Sequence, residues 1–158
     1  MSSTDLPEIH SGSAALVRDA IARTLAVVGL GGVALIHLLD AHDTFVAAPY
    51  KGWLYVGLIA GCLGAAFVLA RRSDPRAWLA ALLLSAGAFA AFVYSRTVGL
   101  PSGADDIGNW WEPLGLASLF VEGAVVVLSA AVLSERDRIL SPRSKRAPVQ
   151  QPRLERSL

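Results

Sequence analysis

Four long apolar stretches alternate with short polar segments along this chain. A helix needs about 20 mostly apolar residues to cross a hydrocarbon core of about 30 Å, because its backbone N–H and C=O groups must then hydrogen-bond within the helix. The length of the stretches, their alanine and leucine content and their scarcity of charge favour spanning helices over buried strands. The pattern predicts an all-α fold, a four-helix antiparallel transmembrane bundle. The predicted spans run from about Thr24 to Leu39, with a continuation towards Phe45, from Trp53 to Ala70, from Ala77 to Tyr94 and from Pro113 to Leu133.

The spans divide the chain into a cytoplasmic N-terminal segment, residues 1–21, a transmembrane domain, residues 22–134, and a basic tail, residues 135–158. The first apolar run begins too far into the chain, and has no small-residue cleavage pattern after it, so we expect it to be retained and not removed as a signal peptide. Residues 14–22 are expected to form a short amphipathic turn before the first span. The tail is rich in proline and arginine, and we expect it to be disordered beyond Leu140.

Composition supports a membrane protein and excludes several other classes. Hydrophobic residues make up 54% of the chain and charged residues 17%, which is more apolar surface than a soluble domain of 158 residues can bury. The mean hydropathy is +0.50. A net charge of +1 gives no indication of a nucleic-acid partner. Cys62 is the single cysteine, which excludes an intrachain disulfide and a cysteine-cluster metal site.

The distribution of basic residues predicts the orientation. With both termini on the same side, twelve of the fourteen lysines and arginines lie on that side, and only Lys51 and Arg96 lie on the other. Lysine and arginine near span ends are retained in the cytoplasm, so we predict cytoplasmic termini for a multi-pass protein of a bacterial plasma membrane. The lipid bilayer is the expected partner, and the basic tail is expected to rest on anionic lipid. Docking of the tail to an acidic protein is the alternative.

Two ionisable residues lie well inside the predicted spans. At about 1.5 Å per residue, His37 is about 21 Å above Arg23, and Glu122 is about 18 Å above Ser134. The two depths nearly coincide. In an up-and-down bundle with short loops the fourth helix lies beside the first, so the two side chains are expected to meet. Ionisable groups in a membrane span are costly, and each therefore suggests a function or a specific partner.

Arg96, at the end of the third span, extends this pair into a predicted polar cluster. Its long side chain is expected to bend from the headgroup level towards Glu122. Asp40 is one helical turn beyond His37 and shares its face. The predicted intramembrane cluster therefore consists of His37, Glu122, Arg96 and Asp40, with His42 above it.

Three interpretations of this cluster stay open at the level of sequence. The first is structural: the groups pair with one another and fix the order of the helices. The second is a proton-responsive or small-molecule site, because a histidine beside a carboxyl group titrates near neutral pH. The third is a metal or haem site that uses His37 and His42 with Asp40 or Asp43. The side chains of residues five apart on a helix point about 140° apart, so the metal or haem site requires the first helix to end near Asp40. We therefore expect no metal and no cofactor.

Small residues form one face of the second span. Such faces allow helices to approach closely, and we expect packing within the bundle in preference to dimerisation. The face consists of Gly57, Gly61, Gly64 and Ala65, and its expected counterpart in the first span consists of Gly29 and Gly32.

The chain resembles a loose group of small four-span actinobacterial integral membrane proteins that have no assigned function. The resemblance is carried by His37, by the stretch Tyr94-Ser95-Arg96-Thr97-Val98-Gly99-Leu100-Pro101, by Trp111 and by Glu122. It covers the four spans and not the tails. It implies the architecture and the location only.

No sequence pattern points to catalysis. We find no nucleophile beside a base, no zinc-binding helix pair and no nucleotide loop. We therefore expect a small accessory or structural membrane protein, not an enzyme, which assists a larger membrane complex. The alternative is a proton-responsive transport, sensing or small-ligand-binding protein that uses the cluster of His37, Glu122 and Arg96.

The predicted orientation is tested with reporter fusions. Alkaline phosphatase fused after Leu158 should be inactive, because it remains in the cytoplasm, and green fluorescent protein at the same position should fluoresce. Phosphatase inserted at Ala104, in the predicted outer loop, should be active. An active phosphatase at the C-terminus, with an inactive one at Ala104, would reverse the orientation.

Overall fold

The computed structural model describes residues 6–101 and 106–140 of the chain. These residues form four α-helices: α1 (Leu6–Ala47), α2 (Pro49–Arg71), α3 (Pro75–Thr97) and α4 (Pro113–Leu140). Each helix contains a segment that is long and apolar enough to cross a membrane. The predicted all-α fold, an antiparallel bundle of four candidate transmembrane helices, is confirmed.

Proline sets the beginning of three helices. Pro49, Pro75 and Pro113 are the first residues of α2, α3 and α4. A proline at this position loses nothing by lacking an N–H group, since the first N–H groups of a helix have no intrahelical partner. The start of α3 is also capped, because the Asp74 carboxylate accepts a hydrogen bond of 2.8 Å from the backbone N–H of Arg76.

The helices extend beyond the predicted spans. Residues 13–23 contain neither glycine nor proline, so nothing in this stretch interrupts α1 before the first span. The turn predicted over residues 14–22 is therefore wrong, and these residues belong to one continuous helix. At the other end of the chain, α4 continues past Leu133 to Leu140. The predicted disorder beyond Leu140, and most of the predicted lipid-binding tail, lie outside the described residues.

The N-terminal part of α1 and the C-terminal part of α4 lie at the same end of the bundle, which we call the termini end. The Ser73 hydroxyl, between α2 and α3, donates a hydrogen bond of 2.7 Å to Asp19 of α1. The Arg136 guanidinium of α4 donates to the Ser73 carbonyl at 3.2 Å and lies 3.8 Å from Asp19. The Trp78 indole, which is fully buried, donates to the Ser73 hydroxyl at 3.3 Å. These contacts join all four helices at the termini end. The opposite end, with residue 48 and residues 98–101 and 106–112, is the loop end.

Glycine brings α1 and α4 into close contact. A Cβ atom at Gly29 would lie 2.5 Å from Cγ2 of Val125, and one at Gly32 would lie 3.3 Å from Cγ1 of Val121. These two glycines therefore pack against α4 and are not the counterpart of the second-span face. On that face only Gly61 makes a close approach, to Leu84 of α3.

We expect Gly29→Leu to destabilise the bundle by about 1–3 kcal/mol, because the added side chain overlaps Val125. Gly31→Leu is the matched control, since a Cβ at Gly31 meets nothing within 4 Å. Thermal unfolding of both variants in detergent, followed by circular dichroism, measures the difference. Equal melting temperatures for the two variants would contradict the close packing of α1 on α4.

Candidate functional site

A cavity of about 720 Å³ lies among the helices in the half of the bundle nearest the loop end. Its walls on α2 and α3 are mainly apolar, with Lys51, Tyr55, Ser95 and Arg96 as their polar residues, and its other polar residues come from α1, α4 and the α3–α4 connection. Small residues on α2 and α3 leave space that larger side chains would occupy, and they are Gly57, Gly87, Ala88 and Ala91. The four residues predicted from sequence, His37, Glu122, Arg96 and Asp40, all line this cavity.

His37 and Glu122 lie next to each other at the deep end of the cavity. Nε2 of His37 is 3.7 Å from Oε1 of Glu122. The two residues are 9% and 1% exposed. The Ser118 hydroxyl, one turn before Glu122 on α4, donates a hydrogen bond of 2.6 Å to the same carboxyl oxygen. The imidazole also packs edge-on against the Tyr55 ring of α2, with 4.7 Å between the ring centroids.

The hydrogen bond of His37 indicates the tautomer of its ring. Nδ1 lies 2.9 Å from the Val33 carbonyl oxygen. A carbonyl only accepts hydrogen bonds, so Nδ1 carries the hydrogen in this contact, and Nε2 is the ring nitrogen that faces Glu122. The distance from Nε2 to Glu122 is within ion-pair range but is longer than a hydrogen bond.

Two buried atoms at the cavity have no hydrogen-bond partner within the described part of the chain. They are Oε2 of Glu122 and Nε of Arg96. A buried polar atom left unpaired costs about 1–3 kcal/mol, and more when it is charged. Such atoms call for an explanation, and a bound donor or an ordered water is one. Because both residues line the cavity, a molecule there has an unpaired acceptor and an unpaired donor within the lining.

Asp40 lies between the deep pair and the loop end. Its Oδ2 atom accepts hydrogen bonds of 3.1 Å from the Thr44 hydroxyl and of 3.1 Å from the Tyr55 hydroxyl. Tyr55 thus contacts both Asp40 and His37, and connects α2 to the polar face of α1. The sequence gives no signal for this role of Tyr55, because an aromatic residue near a span end is ordinarily an interfacial anchor.

Arg96 does not make the expected contact with Glu122. Its guanidinium forms ion pairs with Asp106, at 2.9 Å, and with Glu112. The same group lies 4.8 Å from the centre of the Phe92 ring. Arg96 is in the last turn of α3, so the carboxylates of the following connection are nearer than a residue two turns into α4. Its role in the structure is to hold residues 106–112 over the cavity.

His42 lies outside the cluster. Its side chain is exposed, and it does not line the cavity. Because α1 continues to Ala47, His37 and His42 point about 140° apart and cannot bind one ion. Within residues 13–101 and 106–138, no group of three or more histidine, cysteine or acidic side chains is arranged to hold a metal. The interpretation as a metal or haem site therefore has no support in the geometry.

Comparisons with known protein families, with curated proteins and with solved structures give no match for this chain. The resemblance to small four-span actinobacterial proteins stays a prediction. The residues that carry it have separate places in the structure: Arg96 and Glu122 line the cavity, whereas Trp111 is exposed just before α4.

We expect Arg96→Gln to destabilise the protein by about 2 kcal/mol, because it leaves Asp106 and Glu112 without their buried partner. This loss of stability is smaller than for a fully buried ion pair, since both carboxylates are partly exposed. Arg72→Gln is the control, since the ion pair of Arg72 with Asp74 is formed by an exposed side chain and is worth little. Thermal unfolding and limited proteolysis between residues 98 and 112 measure the effect. Equal stability of both variants would show that Arg96 does not hold the connection.

Proposed function

We propose that this chain is a multi-pass protein of the bacterial plasma membrane that binds a small molecule in the loop-end cavity and exchanges a proton at His37 and Glu122. One observation carries the proposal: Glu122, a residue only 1% exposed, lines the cavity and has one carboxyl oxygen with no hydrogen-bond partner among the described residues. An ionisable group deep in a membrane span is costly. An ionisable group that lies in a span and keeps one atom without a hydrogen-bond partner is suited to binding a ligand or a proton.

The shape and lining of the cavity support binding. Sites for small molecules typically have volumes of about 300–1,000 Å³, mostly apolar walls and a few convergent polar groups. The cavity has about 720 Å³. Leucine, alanine and phenylalanine side chains line it from α2 and α3, and the polar groups of His37, Glu122 and Ser118 converge at its deep end.

The distribution of basic residues supports an orientation with both termini in the cytoplasm. The loop end, and with it the cavity, then lies towards the outer side of the membrane. The basic tail then lies beside the anionic headgroups of the inner leaflet. This orientation therefore favours exchange of a proton between the cavity and the outer side of the membrane.

A second candidate is a structural or accessory protein that assists a larger membrane complex. It is favoured by the contact of His37 with Glu122, because this contact joins α1 directly to α4. In that case the pair fixes the order of the helices, and the cavity is a packing defect at the loop end. Neither candidate includes catalysis.

Infrared difference spectroscopy between mildly acidic and mildly alkaline pH distinguishes the two candidates. In the proposed binding protein, a buried carboxyl group should change protonation, and its C=O stretching band should vanish in Glu122→Gln, which keeps the shape of the side chain. Glu135→Gln is the control on the same helix, since Glu135 is exposed and should leave that band unchanged.

If Glu122→Gln folds and the band persists, proton exchange at Glu122 is excluded. If Glu122→Gln and His37→Gln both prevent folding in detergent while Glu135→Gln folds, the structural candidate is favoured instead.

A further inference from the structure

The cavity reaches the surface of the bundle between α2 and α3. Nearer the termini end these helices touch, since a Cβ at Gly61 would lie 3.0 Å from Leu84. One turn closer to the loop end, α2 has Gly57 and α3 has Gly87. Both glycines are exposed, both line the cavity, and a Cβ at either would meet nothing within 4 Å. The helices therefore leave a gap at the level where each lacks a side chain.

The gap opens towards the lipid. Leu54 of α2 and Leu83 of α3 flank it, and they are 66% and 61% exposed on the surface while also lining the cavity. In a membrane that surface faces hydrocarbon, because it belongs to apolar spanning helices. A molecule that uses this route must therefore partition into the bilayer, which requires an apolar body.

The charged residues of the lining determine whether the cavity favours a cationic or an anionic ligand. Besides Glu122, the lining contains four carboxylates and two permanent cations: Asp40, Asp43, Asp106 and Glu112, with Lys51 and Arg96. Both cations are already paired with connection carboxylates, Lys51 with Asp106 at 3.5 Å and Arg96 with Asp106 and Glu112. The excess of negative charge belongs to Asp40, which is half-buried, and to Asp43, which is exposed, and charges near a protein surface still interact more strongly than in bulk water. The lining therefore favours a cation.

We propose that the cavity binds a lipophilic organic monocation, which enters from the bilayer between α2 and α3 and places its charge beside Glu122. This inference rests on the proposed function and adds the class of ligand and its route. The unpaired Oε2 atom of Glu122 forms an ion pair with the charged group of the ligand, and the apolar walls of α2 and α3 surround the apolar body of the ligand.

Binding of the cation beside Glu122 competes with protonation of the Glu122 carboxyl group. The Glu122 carboxyl group cannot hold both its own proton and the charge of the ligand, so acid weakens binding. The groups in contact with Glu122 are Ser118 on its own helix and His37 of α1. Cys62 of α2 is buried near enough for its thiol to interact with the charge of Glu122, and Tyr55 and Arg96 line the same cavity. Displacement of one proton limits the change in affinity to about tenfold per pH unit.

Tetraphenylphosphonium tests the charge, with tetraphenylborate as a control of nearly the same shape and opposite charge. Neither ion titrates, so any pH dependence belongs to the protein. With the full chain in nanodiscs, and after subtraction of partitioning into protein-free nanodiscs of the same lipid, we expect the protein to bind the cation and not the anion, and acid to weaken binding of the cation. Glu122→Gln should reduce the affinity for the cation by about tenfold or more. Equal or tighter binding of the anion would overturn the proposal without requiring any variant to fold.

Filling the gap tests the route. Gly57→Leu and Gly87→Leu should slow association of the cation, because each places a side chain in the opening without meeting the existing packing. Gly64→Leu is the matched control on α2: a Cβ there also meets nothing within 4 Å, and the residue does not line the cavity. Unchanged association rates in both gap variants would overturn the route between α2 and α3.

The experiments separate this inference from the proposed function. Absence of cation binding, together with an infrared band that still depends on Glu122, overturns the ligand class and leaves the proton-exchanging site standing. Cation binding that Glu122→Gln leaves unchanged, together with no Glu122 band, overturns both.

Discussion

A polar group in hydrocarbon must find a partner within the protein, and the rest of this structure depends on that constraint. It makes the chain helical through every span, since only a helix satisfies its own backbone. It also allows large apolar side chains on the outside of the bundle as well as in its core. The serines at 85, 118 and 129, and Glu122, are buried inside the bundle, whereas Phe120 of α4 is 79% exposed to the surrounding phase. Lipid solvates apolar side chains, so they are found on both sides of the helices, and the polar side chains of the spans face the interior.

The two ends of the bundle differ because their side chains differ in size and pairing. At the termini end, the large ring of Trp78 fills the centre, and the contacts of Ser73 with Asp19 and Arg136 join the helices. Towards the loop end, glycine and alanine replace large side chains on α2 and α3, and the helices enclose a cavity. The close packing of α1 on α4 at Gly29 holds the wall that carries the histidine and the carboxyl group. A closely packed half thus supports an open one.

Sequence reasoning succeeded where a property depends on distance along one helix. The rise per residue placed His37 and Glu122 at the same depth, and the structure has them 3.7 Å apart. It failed where a property depends on the direction of a long side chain or on which helices are neighbours. Arg96 has a choice of carboxylates, and it takes those of the connection beside it. The glycines of α2 were expected to bring helices together, yet Gly57 borders a gap, because α3 also has a glycine at that level.

The sequence alone determined the number of spans, the class of fold and the residues that could not face lipid, because hydrophobicity, helical rise and the cost of an unpaired charge are local properties of the chain. Only the tertiary structure decided which polar groups meet, which stay unpaired, and where the bundle is hollow. These features arise from the way neighbouring helices pack at each level. The exposed surface between α2 and α3 and the unpaired oxygen of Glu122 are properties of that packing, and no periodicity along the chain encodes them.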